Sequence, residues 1–487
     1  MKKQRIIKLV SVCIAMVLMV SLLVGCGNKE ANSPEAQKTI KWYMVAQDSA
    51  DRKEVEAAAN ARLAELGSDL KLEFIYVGAG NYDQKMQLVN AGREEYDLCF
   101  TSNWRNNVYQ NVSNGALADI TELVPKFAPK LYASMEQKIW DAVKIDGKIY
   151  SVPNWQIQAK SLGCFMPASK LEKVGLQASE IQTMEDVTEY LKRLSEVETE
   201  KSVINAHWDV VNMYYGLVPV SSLMLPGMIR YKADGKITVI NQYESPEFRE
   251  YVSTVRSWVE NGYITDDYLK ADDYAAKGVE RKPIHFGTFA PGIEKDISSE
   301  YEWKGAQLGD AVLNTDGITA AMVGVSATSA SPENAVKMLE LVNTDKKLMN
   351  IICYGLEGKH YEKIGENTIK LTDANTYNRP SAFTVGSSEN LYIQEGKPED
   401  MWEQTRAFNE SATESPILGF TVNTEPVSVE LANCQTVINE QIEMLTLGLV
   451  PVDEGIEKLV KGLKEAGSDR IIEEYQRQLD EWLKSKK

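Results

Sequence analysis

Histidine is scarce in this chain: His207, His285 and His360 are the only three in 487 residues. They stand too far apart for the H-E-x-x-H or Cys/His spacings that hold a catalytic metal, so metal chemistry has no support and no cofactor is expected. Neither a G-x-S-x-G elbow nor a G-x-x-x-x-G-K-[ST] phosphate loop occurs. His360 follows Glu357 by three positions, a spacing that suits a structural hydrogen bond. Cysteine is present without pattern. Cys13 and Cys26 lie in the N-terminal stretch, while Cys99, Cys164, Cys353 and Cys434 each stand alone in apolar surroundings, so buried free thiols are expected instead of a disulfide framework. Basic charge is also short, with 53 Lys and Arg against 70 Asp and Glu. That excess of carboxylate argues against nucleic acid or an anionic lipid surface as partner and favours a neutral or cationic small ligand. It leaves a glycosidase open, because such an enzyme needs two carboxylates about 5–9.5 Å apart, but no motif points there.

Long apolar runs are absent after the first. That first run starts near Ile6, follows Lys2, Lys3, Arg5 and Lys8, and ends in Leu23-Val24-Gly25-Cys26. Basic, apolar, then small residues is the order of a secretory leader, here Met1 to Gly25. An uncleaved membrane helix is the alternative, because the run is about as long as the ~17–25 residues that span a bilayer. The final four residues resemble the lipobox of bacterial lipoproteins, which implies that Cys26 is lipidated and becomes the mature N-terminus on the extracytoplasmic face of the cell membrane. Loss of the leader takes the formal charge from −17 to −21. Residues 26–38 are polar and aperiodic, a tether whose dozen or so residues reach roughly 20 Å.

The remaining chain is long enough for two or three domains. Thr39–Ala46 alternates Ile40, Trp42 and Met44 as a strand does, residues 51–66 carry a helical stripe ended by Gly67, and Leu70–Val77 alternates again. A helix over Tyr82–Arg93 and a buried strand over Tyr96–Thr101 complete a βαβαβ order, which predicts a parallel sheet wrapped by helices. Ligands in such sheets sit beyond the carboxyl ends of the strands, here at Gln47-Asp48, at 78–82 and at 102–104. Gly78 and Gly80 are read as a turn. A helical stretch over 122–143, a hairpin at Asp146-Gly147, a strand over Ser161–Phe165 and helices over Ala168–Val174 and Met184–Val197 follow. A second α/β unit begins about there, with a helix over Pro246–Asn261 and a strand over Pro283–Ala290. Ile318–Ser326 reads as β-like, and Ser331-Pro332 opens a helix. Cys353–Glu362 is the most distinctive polar-aromatic cluster. The tail reads as three helices over 427–447, 453–465 and 469–484.

The order of these parts resembles the family 1 extracellular solute-binding proteins, the sugar-binding lipoproteins that feed ABC importers. TIKWYM, YDLCFTSNW, DGKIYSVPNW and ITAAMVGVSATSASPENAVKMLELV carry the likeness, and YGLEGKHYE, SPILGF, PVSVE and EYQRQLDEW resemble the C-terminal module of a lipoprotein subset. The resemblance implies an α/β, two-lobed periplasmic-binding-protein-like fold of type II, with a hinge, a ligand cleft and a helical C-terminal module. Lobe 1 is expected over 39–155 with a returning segment at about 318–350, lobe 2 over 156–317, and the module over 351–487, packed on lobe 2. The implied role is capture of a carbohydrate, an oligosaccharide, for delivery to ABC permease subunits, by a monomer that performs no catalysis. An extracytoplasmic peptide receptor or signalling partner would use the same fold and anchor.

A sugar offers apolar C–H faces and rigid hydroxyls, so its site needs aromatic platforms beside amides and carboxylates. Residues of those types in the expected cleft loops are Asp48, Asn81, Tyr82, Asn103, Trp104, Asn154, Trp155, Gln156, Trp208, Tyr214, Phe286 and Phe289. Trp104 and Trp155, beside Asn at strand ends, suit binding and packing equally; Trp208 and Tyr214 fall in a segment the pattern does not place. Trp42, Met44, Trp402, Phe408 and Trp482 are read as core.

Overall fold

The computed structural model describes residues 38–198, 204, 208–232, 235–265, 282–297, 301–374 and 376–486. The expected leader, Cys26, nearly all of the tether and His207 lie outside the described residues. The body opens with β1 (Thr39–Val45), α1 (Arg52–Glu65), β2 (Lys71–Val77), α2 (Tyr82–Ala91) and β3 (Leu98–Thr101). β1 pairs in parallel with both β2 and β3. Its alternation buries Ile40, Trp42 and Met44. α1 ends in a Schellman turn: Gly67 takes φ +76°, its N–H donates to Ala64 O, and Ser68 N–H donates to Leu63 O at 3.0 Å.

The helical stretch expected over 122–143 is divided into three short helices, α3 (Leu123–Phe127), α4 (Pro129–Ala133) and α5 (Gln137–Ala142). Pro129 has no N–H to continue α3 and can only stand at the start of a new helix. Asp146 and Gly147 both take positive φ, +50° and +78°, and Ile145 and Lys148 exchange two backbone hydrogen bonds around them. That is a type I′ hairpin.

After β4 (Ser151–Pro153) the chain crosses into a second lobe as β5 (Lys160–Pro167), followed by α6 (Met184–Val197), β6 (Leu217–Pro219), β7 (Met228–Arg230), α7 (Pro246–Glu260), β8 (His285–Thr288) and β9 (Trp303–Leu313). It returns through α8 (Thr315–Ile318) to β10 (Met322–Val325), then α9 (Pro332–Thr344), α10 (Lys346–Tyr354), β11 (Tyr361–Lys363), β12 (Thr368–Leu371) and β13 (Ile393–Gln394). α11 (Met401–Ser411) and β14 (Thr413–Glu414) cross a third time, and α12 (Ser428–Thr446), α13 (Val452–Glu465) and α14 (Ser468–Ser485) close the chain. Lobe 1 holds the sheet β2-β1-β3-β10-β4 and lobe 2 the sheet β14-β9-β5-β8, each over its own apolar core. Only Met322–Val325 of the β-like 318–326 stretch is strand. Asn314 turns the residues before it into α8 by accepting from Gly317 N–H at 2.7 Å.

The expected single module over 351–487 is corrected. Tyr354, Tyr361, Ile369, Tyr377, Val385, Leu391 and Tyr392 belong to the core of lobe 1, so the chain up to β13 is part of that lobe. α12 to α14 place Cys434, Ile438, Leu459, Leu463, Ile471, Tyr475 and Leu479 in the core of lobe 2. The helical stripes of the tail identify its inward faces, but nothing local in 351–394 says which lobe its aromatics meet.

Because α14 seals lobe 2 with fully buried side chains, Leu479→Ala should destabilise the protein by about 2–5 kcal/mol. Urea unfolding followed by circular dichroism measures it, and a loss under about 1 kcal/mol would mean that α14 is not part of that core.

Candidate ligand cleft

Between the lobes lies a cleft of about 1040 Å³. Gln47 and the 353–392 segment supply the lobe 1 wall, Gln156 and Ile157 of the first crossing the floor, and Ala290, Pro291, Ile293 and Asp296 the lobe 2 side. Met401, Trp402 and Thr405 of α11 close the end. Five aromatic residues line it: Tyr354, Tyr377, Phe383, Tyr392 and Trp402.

The aromatic wall is built from irregular chain, and buried amides hold it. Asn350 Oδ1 accepts from Tyr392 N–H and its Nδ2 donates to Asn390 O, both at 2.8 Å. Asn343 Oδ1 accepts from Ser387 N–H at 2.7 Å. Both amides sit on α9 and α10, so two helices substitute for the sheet hydrogen bonds that the loop lacks. Tyr377 hydroxyl donates to Ile352 O and meets the Tyr76 hydroxyl, each at 2.7 Å. Trp402 Nε1 donates to Leu391 O at 3.0 Å.

A charged node pins the other end of the wall to α1. His360 is buried, and its Nδ1 accepts from Leu356 N–H at 2.9 Å, which leaves the proton on Nε2 to donate to Asp51 Oδ2 at 3.0 Å. Asp51 also accepts from the Thr376 hydroxyl and from Lys359 Nζ at 2.9 Å, and its N–H donates to Thr376 O. Those three donors, Thr376 first, hold the Asp51 carboxyl far below the usual carboxylate range. Glu357, the expected partner of His360, faces Lys363 instead. Across the cleft, Lys397 Nζ pairs with Asp296 at 2.7 Å and ties lobe 2 to the chain that follows β13. Cys99, Cys164, Cys353 and Cys434 are buried and free, and burial pushes the Cys99 thiol up to about 12 and the Cys434 thiol up to about 11.

Of the residues singled out from sequence, Gln156 stands in the cleft floor. Asp48 is exposed beside it, paired with Arg52 Nε at 2.6 Å, and its carbonyl accepts from the lining residue Asn378. Trp155 is buried one layer behind, against Trp402 and under the Arg406 guanidinium. Asn154 is buried and donates to Phe383 O at 2.7 Å. Trp104 is 54% exposed on lobe 1, with its Nε1 donating to Ala320 O at 2.8 Å, and Asn103 is tied to Asp316. Phe289 packs on Phe408 beside the first crossing.

The remaining five lie away from the cleft. Tyr82 is fully buried, with its hydroxyl donating to Tyr43 O and accepting from Phe100 N–H, a brace between β1 and β3. Trp208 is the centre of a core cluster with Phe248 and Tyr251 of α7, and Phe286 points inward from β8. Tyr214 hydroxyl accepts from Met184 N–H at the start of α6, and Asn81 is exposed at the start of α2. Trp402, read as core, lines the cleft. The lining residues missed in sequence are chiefly Tyr354, Tyr377, Phe383, Tyr392 and Asp296, and the one usable signal was the Cys353–Glu362 cluster at the edge of that wall. Among the described residues no group of three or more His, Cys, Asp or Glu could hold a metal ion, and no helix is long and apolar enough to cross a membrane.

A family model described as a domain of unknown function, DUF3502, matches residues 416–484, a stretch that takes in α12, α13 and all but the last residue of α14. Over 501 aligned residues the chain is 28% identical to a carbohydrate ABC transporter substrate-binding protein of Streptococcus pneumoniae serotype 4, covering 97% of this chain and 98% of that protein. The crystal structure of the N-glycan transport solute binding protein NgtS from S. pneumoniae superposes with a TM-score of 0.80 at 27% identity, over 92% of this chain and 100% of that one. In complex with Man5GlcNAc the same protein gives a TM-score of 0.67 over 92% and 99%. An extracellular solute-binding protein from Bifidobacterium longum subsp. infantis, at 15% identity, TM-score 0.61 and coverage of 92% and 99%, shares the fold. The architecture is the two-lobed α/β fold of solute-binding proteins, with a helical C-terminal region.

The depressed Asp51 carboxyl carries a pH signature. A group held below its unfolded value of ~3.9 stabilises the native state fully above that value, and the contribution is lost as pH falls through the folded pKa. Urea midpoints measured from pH 6 down to pH 3 should therefore fall less steeply in Asp51→Asn than in the parent chain. Parallel curves would show that the node contributes nothing to folding.

Proposed function

We infer that this chain is the extracytoplasmic solute-binding protein of a carbohydrate ABC importer and captures an oligosaccharide between its lobes. The observation that carries the reading is the cleft wall itself, five aromatic residues and several amides and carboxylates around about 1040 Å³. The half-buried rings of Phe383 and Trp402 can take the C–H side of pyranose rings, while Tyr354, Tyr377 and Tyr392 are largely buried in the wall, and Gln47, Gln156, Asn378 and Gln394 offer both donors and acceptors to the hydroxyls. The volume lies at the upper end of the ~300–1,000 Å³ of small-molecule sites, which suits several linked sugars better than one. The relative named for N-glycan transport is crystallised with mannose–GlcNAc glycans, and glycans of that kind are the first to test here.

The mechanism is binding without turnover. Lobe 1 presents the wall, lobe 2 closes with the loop after β8, and the ligand stabilises the closed form by bridging both. The lower TM-score against the glycan complex of the same relative, at unchanged coverage of this chain, is in keeping with lobes that change their mutual placement. Gln156 contacts ligand from the floor, Asp48 and Trp104 lie at or beyond the rim, and Trp155 backs Trp402. Cys26 bears the lipid that holds the chain at the membrane beside its permease. A single acyl chain would anchor only marginally, so the mature cysteine carries more than one.

Trp402→Ala and Phe383→Ala should each weaken oligosaccharide binding by about tenfold or more in calorimetry, about 1.4 kcal/mol; unchanged affinity in both would move the site elsewhere. Cys26→Ala, expressed in a bacterium with lipoprotein processing, should leave the membrane fraction and lose the acyl mass while still binding glycan. Retention at the membrane would favour the uncleaved helix.

A further inference from the structure

The charged side chains of the cleft wall divide into those already satisfied and those that are not. Asp296 and Lys397 neutralise each other, and both ring nitrogens of His360 are occupied. Asp373 and Arg379 differ. Both line the cleft, both are exposed, and neither makes an ion pair or side-chain hydrogen bond among the described residues. They stand six positions apart in the loop whose Tyr377 is pinned through its hydroxyl to Ile352 and Tyr76.

In the open cleft water solvates both ions. When a ligand covers them that water leaves, and a charged group left without partners opposes binding. The occupant must therefore give hydrogen-bond donors to Asp373 and acceptors to Arg379 at the same time. A carboxylate or sulfate on the sugar would satisfy Arg379 and oppose Asp373, in the field of a protein whose mature charge is −21. Hydroxyl and acetamido groups both donate and accept, and so serve both ions without a charge of their own.

We propose that Asp373 and Arg379 are the specificity pair of the cleft, reading the polar groups of a neutral oligosaccharide and excluding glycans that carry an acidic group. The inference rests on the oligosaccharide reading above and adds to it the charge class of the ligand and the residues that set it. The remainder of the wall is electrically balanced, so the discrimination falls to these two side chains.

The test is calorimetry on the mature chain with matched pairs of oligosaccharides, each neutral glycan beside the same glycan bearing one uronic acid in place of a hexose, mannose–GlcNAc glycans among them. The neutral member should bind at least tenfold more tightly. Arg379→Gln and Asp373→Asn, both at exposed positions, should keep the parent melting temperature and lose severalfold in affinity for the neutral glycan. Asp373→Asn should also narrow the gap between neutral and acidic members, and Arg379→Gln should not. Equal or tighter binding of the acidic member, or unchanged neutral affinity in both variants, overturns the proposal. If no glycan of either kind binds the parent chain, the oligosaccharide reading falls and the proposal falls with it, an outcome distinct from a preference for acid.

Discussion

At the junction of the lobes two crossing segments touch backbone to backbone, and the rest of the architecture depends on that contact. A Cβ on Gly317 would lie 2.0 Å from Gln158 O, so only glycine fits where α8 passes the first crossing. The third crossing is tied to the same place. Asn409 Oδ1 accepts from Gln158 and Ala159 N–H at 2.9 and 3.0 Å, and Asn409 Nδ2 donates to Gln156 O at 2.8 Å. Three segments far apart in sequence thus meet at one point through backbone groups whose hydrogen bonds are satisfied by a side chain. Each lobe has its own core, so the junction has little to do but fix where the lobes meet.

That arrangement explains how irregular chain can form a binding wall. The loop between β12 and α11 has few ladder hydrogen bonds of its own, and an unsupported loop would fray. Here Asn343 and Asn350, buried on consecutive helices of lobe 1, accept and donate at defined positions along it, and the Asp51 node fixes its near end to α1. A Cβ on Gly78 would lie 2.7 Å from Nε2 of Gln47, the end of a flexible side chain that lines the same wall and would have to turn aside. The cleft wall is irregular chain held on a regular frame, which is where binding residues are commonly placed.

The frame was far more legible in the sequence than the wall. β1 and β2 announced themselves by alternation and β3 by a short apolar run that is buried throughout, local patterns that survive folding. The tail helices did so for the same reason. Tyr82, Trp208 and Phe286 misled because an aromatic near the end of a strand or helix looks the same whether it points into a cleft or into the core, and the deciding partners, Tyr43, Tyr251 and the β5–β9 strands, are remote in sequence. Tyr377 and Tyr392 escaped notice for the converse reason: their neighbours in sequence carry no period, and the lobe they serve is chosen by remote contacts, Tyr377 with Tyr76 301 positions away and Tyr392 with Asn350 of α10. Trp402 lies on a helical stretch, and nothing local distinguishes a core face there from a cleft face. The exception was Cys353–Glu362, where density of polar and aromatic residues alone marked the edge of the wall.

On the proposed mechanism, closure over a sugar has to be driven mainly by the ligand. The Lys397–Asp296 pair joins the two sides, but Asp296 is well exposed, and such pairs contribute about 0–1 kcal/mol, weakened further by salt. An interaction of that size guides the approach of the loop after β8 without locking it. To carry a two-state lobe equilibrium from 1:99 to 99:1, a ligand must favour the closed form by about 5.5 kcal/mol. Most of the wall belongs to lobe 1 and is available before closure, so contacts there bind the open and closed forms alike and shift nothing. The differential term must come from what closure adds: Ala290, Pro291 and Ile293 covering apolar sugar faces, and the loss of water around the polar groups beneath. A ligand too short to reach the lobe 2 loop would bind the wall and leave the lobes apart, so the length of the occupant, as much as its chemistry, decides whether closure follows binding.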